Sequence, residues 1–318
     1  MKKNNVPQKT SRRNFLTASA TLAGAAFIPS VSFLNNRNTK PISLTGKKET
    51  KDFRYKIAVC DWMILKRQKL GAVKRTHEIG ADGLELDMGG LGQRPTFDNK
   101  LLDPIERKKF RDELNKYKLE LSSIAMSGYY AQSFAERETV PIMLRDTINT
   151  MVMMDVKMAF LPLGVKGDLV KYPELKPTIV ERLQMAGEMA LAAKVTIGIE
   201  TALDAAGELE LLNEVNSPAI KSYFNFANPL QQGRDLIQEI KILGKENICQ
   251  IHCTDEDGVW LENNTRINMP QVKLTLDEMD WSGWLVIERS RDVNNAGDVV
   301  GNFAANTRYL KSIFQNNK

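Results

Sequence analysis

Residues 195–200 read Val195-Thr196-Ile197-Gly198-Ile199-Glu200, apolar and extended-looking until the final carboxylate. Three later runs end in the same way. Ile220-Lys221-Ser222-Tyr223-Phe224-Asn225 closes on an amide, and Ile248-Cys249-Gln250-Ile251-His252 on an imidazole. Trp284-Leu285-Val286-Ile287-Glu288 closes on a second carboxylate. Short runs rich in β-branched and aromatic residues, bounded by loop residues, mark buried strands. A polar group ending a buried strand is costly unless something binds it. Two carboxylates, an imidazole and an amide oxygen from four strands suggest a divalent metal held by Glu200, Asn225, His252 and Glu288.

Outward from these runs, strand and helix patterns alternate. Strands are expected at 55–60, 83–87, 119–126, 158–163, 195–201, 220–225, 248–253 and 284–288. Amphipathic helical patterns fill 69–79, 104–118, 140–154, 178–194, 206–215, 234–243, 272–279 and 296–314. Pro104 suits a first helical turn with Asp103 as its cap, and Gly80 and Gly244 suit helix ends. Such alternation implies a parallel sheet. An open dinucleotide-binding sheet would carry G-x-G-x-x-G after its first strand. Here that turn is Asp61-Trp62-Met63-Ile64. The expected fold is a single-domain (β/α)8 TIM barrel over residues 52–318, whose sites lie at the C-terminal strand ends.

The N-terminus reads differently. Ser11-Arg12-Arg13-Asn14-Phe15-Leu16 follows a short basic start and precedes an Ala-rich apolar run to Ile28, then Pro29. This is the layout of a twin-arginine export signal, assigned to residues 1–34, with a polar linker over 35–51. It implies the twin-arginine export machinery as a partner and a periplasmic or otherwise exported location. The apolar run is too short for a stable membrane span. Residues 1–50 hold nine of the 44 Lys/Arg and one of the 39 Asp/Glu, so the remainder carries 35 basic and 38 acidic residues. The apparent basicity belongs to the leader, and the body gives no reason to expect nucleic-acid binding. Cys60, Cys249 and Cys253 are too few for a disulfide framework.

Alternation along strands sorts side chains by face. With Glu200 toward the barrel axis, Gly198 and Thr196 share its face and Ile197 and Ile199 face helices. With Glu288 inward, Leu285 and Ile287 are outward, and on the second strand Glu85 is inward between Leu84 and Leu86. With His252 inward, Cys249 and Cys253 face the helix layer. His77, in the first helix, is expected at the surface or in packing.

The chain resembles the xylose isomerase-like barrel superfamily, also called the sugar phosphate isomerase/epimerase family. The resemblance spans roughly 52–318. It rests on Gly80-Ala81-Asp82-Gly83-Leu84-Glu85-Leu86, Ile197-Gly198-Ile199-Glu200, Phe224-Asn225-Phe226-Ala227-Asn228, Ile251-His252-Cys253-Thr254-Asp255 and Trp281-Ser282-Gly283-Trp284-Leu285-Val286-Ile287-Glu288. It implies a divalent metal (Mn, Mg, Co or Zn) on Glu, Asp, His and Glu, which map onto Glu200, Asn225, His252 and Glu288. Asn225 replaces the usual Asp, and Thr254 stands where many members carry Lys.

The resemblance implies a sugar isomerase or epimerase. In that chemistry Glu200 and Glu288 serve as base and acid, moving a proton on the carbon beside a carbonyl through an enediolate. An exported enzyme is expected to act on a free sugar or keto-sugar rather than a phosphate ester. The alternatives are a lyase or hydratase on 3-keto-glycosides using the same proton removal, and a non-catalytic sugar-binding barrel. A DNA-repair endonuclease of this superfamily would need more than two histidines. Glu85, Asn228, Asp255, Trp62 and Lys166 are the expected substrate contacts, with Asp255 also a candidate to orient His252. Asp87, Tyr129 and Tyr130 are secondary candidates, and Arg289 is expected at the surface.

Overall fold

Eight parallel strands close on themselves in sequence order, β1 pairing with β8. A computed structural model describes residues 53–316. The expected export signal at 1–34 and linker at 35–51 lie outside the described residues. The strands are β1 Tyr55–Cys60, β2 Gly83–Asp87, β3 Glu120–Ala125, β4 Met158–Pro162, β5 Thr196–Glu200, β6 Ile220–Asn225, β7 Ile248–His252 and β8 Gly283–Ile287. The α-helices are α1 Gly71–Ile79, α2 Pro104–Tyr117, α3 Val140–Met154, α4 Lys176–Ala193, α5 Ala205–Val215, α6 Ala227–Gln231, α7 Leu236–Leu243, α8 Met269–Glu278 and α9 Val299–Phe314. This is the (β/α)8 TIM barrel read from the alternation, with the short α6 added after β6. Among the described residues, no helix is long and apolar enough to cross a membrane.

The local signals act where the sequence places them. The Asp103 side chain accepts the Ile105 N–H at 2.8 Å, and Pro104 opens α2. Gly80 ends α1 with φ +84°, a left-handed conformation that costs glycine little. α8 begins before the expected 272 because Asn268 caps it, accepting the Gln271 N–H at 3.1 Å.

Alternation divides the apolar residues into two layers. Ile57, Val59, Leu84, Leu86, Ile197, Ile199, Leu285 and Ile287 pack between strands and helices. Ala58, Cys60, Ala125, Phe160, Tyr223 and Val286 fill the lumen. Two bulges interrupt this regularity. On β3 the pairing with β2 passes from Leu121 to Ser123, skipping Ser122. On β7 the pairing with β6 passes from Ile248 to Gln250, skipping Cys249. A bulge adds a residue and breaks the period of two. Cys249 therefore packs against the lumen cluster rather than the helix layer, correcting its expected face. Cys253, on the far side of His252, does join the helix-facing layer.

The bulge explains why β5 carries a glycine. A Cβ on Gly198 would lie 2.6 Å from the Cys249 Sγ and 2.9 Å from the Tyr223 Cβ. Gly198→Val is expected to overpack this layer and lower stability by about 1–3 kcal/mol. The check is the denaturant midpoint of the purified variant. An unchanged midpoint would show that Cys249 and Tyr223 yield without cost.

Candidate active site

Four strand ends deliver Glu200, Asn225, His252 and the residue after β8, Glu288, to one point. The Asn225 amide Nδ2 donates to Glu200 Oε2 at 3.0 Å and to Glu288 Oε2 at 3.1 Å. His252 Nδ1 lies 3.2 Å from Glu200 Oε2 and 3.9 Å from Glu288 Oε2. All four residues named for a metal are thus brought together.

The far side of the imidazole is held as firmly. His252 Nε2 lies 2.9 Å from Glu85 Oε2. Glu85 is fully buried, and Ser123 and Tyr223 donate their hydroxyls to its Oε1, each at 3.0 Å. The Cys60 thiol approaches its Oε2 at 3.3 Å, and Gln250 donates to both Ser123 Oγ and the Tyr223 hydroxyl. Burial, and then the Glu85 charge, push Cys60 and Tyr223 up, so both remain protonated donors. Burial opposes charge on His252, but Glu85, Glu288 and Glu200 outweigh it and raise its pKa to about 10. Burial also raises Glu288, against the lowering influence of His252.

A cleft of about 350 Å³ opens above these groups. Glu200 and Glu288 line it together with Trp62, Arg67, Tyr130, Phe160 and Arg289. The Trp62 and Phe160 rings stack with centroids 6.3 Å apart and planes 8° from parallel. Phe160 also sets its ring against His252 at 4.7 Å. A second, smaller hollow adjoins, lined by Glu200, Tyr130, Thr201 and Asn228 among others.

Several expected positions change. Trp62 and Tyr130 line the cleft, and Asn228 lines the adjoining hollow while donating to the Thr201 carbonyl at 2.8 Å. Glu85 lies beneath His252 and does not line the cleft, so a place beside substrate is corrected to one beneath the imidazole. Asp255 turns into the loop after β7, accepting from the Glu256 N–H and Asn264 and pairing with Arg266 at 3.4 Å. It touches neither cleft nor imidazole, and Glu85 holds His252 instead. Lys166 is exposed and lines neither hollow, being carried outward by the loop after β4. Asp87 is buried and accepts loop N–H groups from Gly89 and Ser127, and Tyr129 is buried with its hydroxyl on the Met143 Sδ. His77 is exposed and rests on the Tyr117 ring.

Arg289 is the converse case. Alternation ends with the strand, and the Thr254 hydroxyl accepts the Arg289 N–H at 3.0 Å. The guanidinium enters the cleft 4.0 Å from Glu288, although a surface position was expected. A cation therefore reaches the site from the loop after β8. Arg67, Phe160 and the Ser123–Tyr223 pair went unnamed in the sequence reading. Tyr223 shares the face of Asn225 two residues on and was accessible to the same parity argument.

The donor chemistry can be tested against a divalent cation. Glu200, Glu288 and His252 Nδ1 supply two carboxylates and, once the imidazole loses its proton, one nitrogen. That is the three-protein-ligand set of an open catalytic site. Glu85 holds the other nitrogen, as metal-bound histidines require. Asn225, the expected fourth ligand, turns its NH2 rather than its oxygen toward this point. Its single side-chain acceptor, Oδ1, takes the Ala227 N–H at 2.9 Å, leaving the NH2 toward the carboxylates. An Asp could serve Ala227 with one oxygen and a cation with the other, whereas an Asn has only one oxygen. A second group, Cys60, Glu85 and His252, has ligand atoms within 4.8 Å of one another. All three are fully buried, and none lines the cleft.

A family model described as "Xylose isomerase-like TIM barrel" matches residues 73–313. A search of curated proteins returned no match. Among solved structures, the chain is similar to a D-psicose 3-epimerase from Clostridium cellulolyticum crystallised with D-tagatose. The TM-score is 0.66, with 13% identity over 81% of this chain and 99% of the other. It is also similar to a sugar phosphate isomerase/epimerase from Parabacteroides distasonis, with TM-score 0.62 and 14% identity over 81% and 94%. A xylose isomerase domain protein from Planctomyces limnophilus gives 0.60 and 16% over 84% and 100%. At these identities the likeness establishes the fold alone.

The orientation of the Asn225 amide has a measurable consequence. Asn225→Asp is expected to tighten Mn2+ binding about tenfold or more, through an added charge and a freed acceptor. Cys60→Ala is expected to leave the affinity within about threefold, since its thiol faces the other imidazole nitrogen. Isothermal titration of metal-stripped protein reads both. Weaker binding by Asn225→Asp would contradict the assigned amide orientation.

Proposed function

The chain belongs to the xylose isomerase-like TIM barrel family, and from that premise we propose that it is a metal-dependent sugar isomerase or epimerase. The carrying observation is the pair of carboxylates, Glu200 and Glu288, that line one cleft and are bridged by a single amide. Two carboxylates flanking a bound carbon can remove and return its proton. The solved relatives support a carbohydrate substrate, because one was crystallised with D-tagatose and another, a D-allulose 3-epimerase from a Methylomonas species, with D-allulose.

Glu200, His252 and Glu288 would hold the divalent ion. When bound, it supplies Lewis-acid stabilisation of the negative charge that develops beside the substrate carbonyl. The chain's own groups do the rest. Glu200 and Glu288 exchange the proton with the carbon between them. Burial raises Glu288 above the ordinary carboxylate value, which favours its taking up a proton. The Asn225 NH2 fixes the two carboxylates relative to each other, and Glu85 fixes the plane of His252. The Trp62 ring, backed by Phe160, offers a flat apolar face to the C–H surface of a sugar ring. The Arg67 and Arg289 cations border the cleft and suit substrate oxygens.

Wild type with Mn2+ is expected to exchange the substrate α-proton with deuterated solvent, followed by NMR. Glu200→Gln and Glu288→Gln are each expected to lower that rate about 10²–10⁴-fold, the usual yield of general acid–base catalysis. Exchange unaffected by both changes would exclude these carboxylates as the proton carriers.

Export rests on the leader alone, and Ser11-Arg12-Arg13-Asn14-Phe15-Leu16 supports a twin-arginine route and a periplasmic or otherwise exported site of action. Replacing Arg12 and Arg13 together by Lys is expected to retain the precursor in the cytoplasm, read by cell fractionation. Undiminished export would contradict that route.

A further inference from the structure

The site has two chambers, and they differ in chemistry. The first, of about 350 Å³, is lined by Trp62 with Phe160 stacked on it. The second, of about 130 Å³, is walled largely by polar residues, including Thr201, Asn228, Gln231 and Gln232. Tyr130 and Glu200 line both and form the boundary between them. Glu288 lines only the first.

That partition orients the substrate. A carbon flanked by both carboxylates lies in the first chamber. Any substituent that extends past Glu200 enters the second. The side chains there are equipped for hydroxyl groups. Gln231 and Gln232 are exposed, and neither side chain bonds another described residue. Asn228 spends its Nδ2 on the Thr201 carbonyl and keeps its Oδ1 available. Each amide offers donors and an acceptor, the pairing that a sugar hydroxyl uses. The apolar Trp62 face of the first chamber suits the C–H surface of one ring. A free monosaccharide would fill one chamber and leave the amides of the other to water.

We infer that the second chamber is a subsite for a second sugar residue. The substrate class is then a keto-sugar bearing a glycosidic substituent rather than a free keto-sugar. This rests on the proton-transfer reading above and narrows it.

The test uses the Mn2+-supplemented protein and solvent-deuterium incorporation. The probes are the ketose disaccharides lactulose, turanose, maltulose and palatinose, against free fructose, tagatose and psicose. At least one disaccharide is expected to exchange with kcat/KM about tenfold or more above the best free ketose. Gln231→Ala/Gln232→Ala, checked for an unchanged thermal midpoint, is expected to cut that ratio at least about fivefold, mainly through KM. Exchange of free ketoses with no disaccharide above them, or a ratio unmoved by the double variant, would overturn the subsite and leave the proton-transfer reading standing. No exchange in any probe would overturn that reading, and the subsite with it.

Discussion

One imidazole, gripped from both sides in the barrel's interior, organises this molecule. Glu85 lies 2.9 Å from His252 Nε2 and Glu200 lies 3.2 Å from Nδ1. An unpaired ionised group in such a place would cost several kcal/mol, so each charge must find its complement. Glu85 is answered by Ser123, Tyr223, Cys60 and His252 together. Those partners come from β1, β3, β6 and β7. The polar layer therefore ties non-adjacent strands across the lumen, where apolar contacts alone would leave the imidazole free to turn.

The barrel makes this arrangement by stacking layers. Cys249 and Tyr223 fill the lumen beside Gly198. Above them lies the buried hydrogen-bonded layer of Glu85, Ser123, Tyr223 and Gln250. Above that lie the groups that meet the cleft. Each layer depends on the one beneath it. Tyr223 needs the space that Gly198 leaves, and its hydroxyl then reaches Glu85. Packing is thus connected to chemistry through one side chain.

How far the sequence disclosed this depends on periodicity. Glu200, Asn225, His252 and Glu288 were legible because each ends a strand whose other residues alternate, and Glu85 was placed inward by the same rule. The rule fails where the period fails. Cys249 was misplaced because a one-residue bulge leaves no mark in composition. Asp255, Lys166 and Arg289 lie beyond strand ends, where the loop path decides direction and no repeat reports it. The role of Asn225 hinged on a backbone N–H two residues away. That turn is local, yet its effect is to invert the face the amide shows to Glu200 and Glu288. With its NH2 on both carboxylates, Asn225 clamps them to each other.

Everything above the polar layer turns on where a cation would meet the chain. A crystal soaked in Mn2+ and measured for anomalous scattering locates it directly. A peak is expected at roughly 2.0–2.3 Å from Glu200, Glu288 and His252 Nδ1, with the Asn225 Oδ1 still on the Ala227 N–H. A peak among Cys60, Glu85 and His252 Nε2, or one coordinated by Asn225 Oδ1, would contradict it.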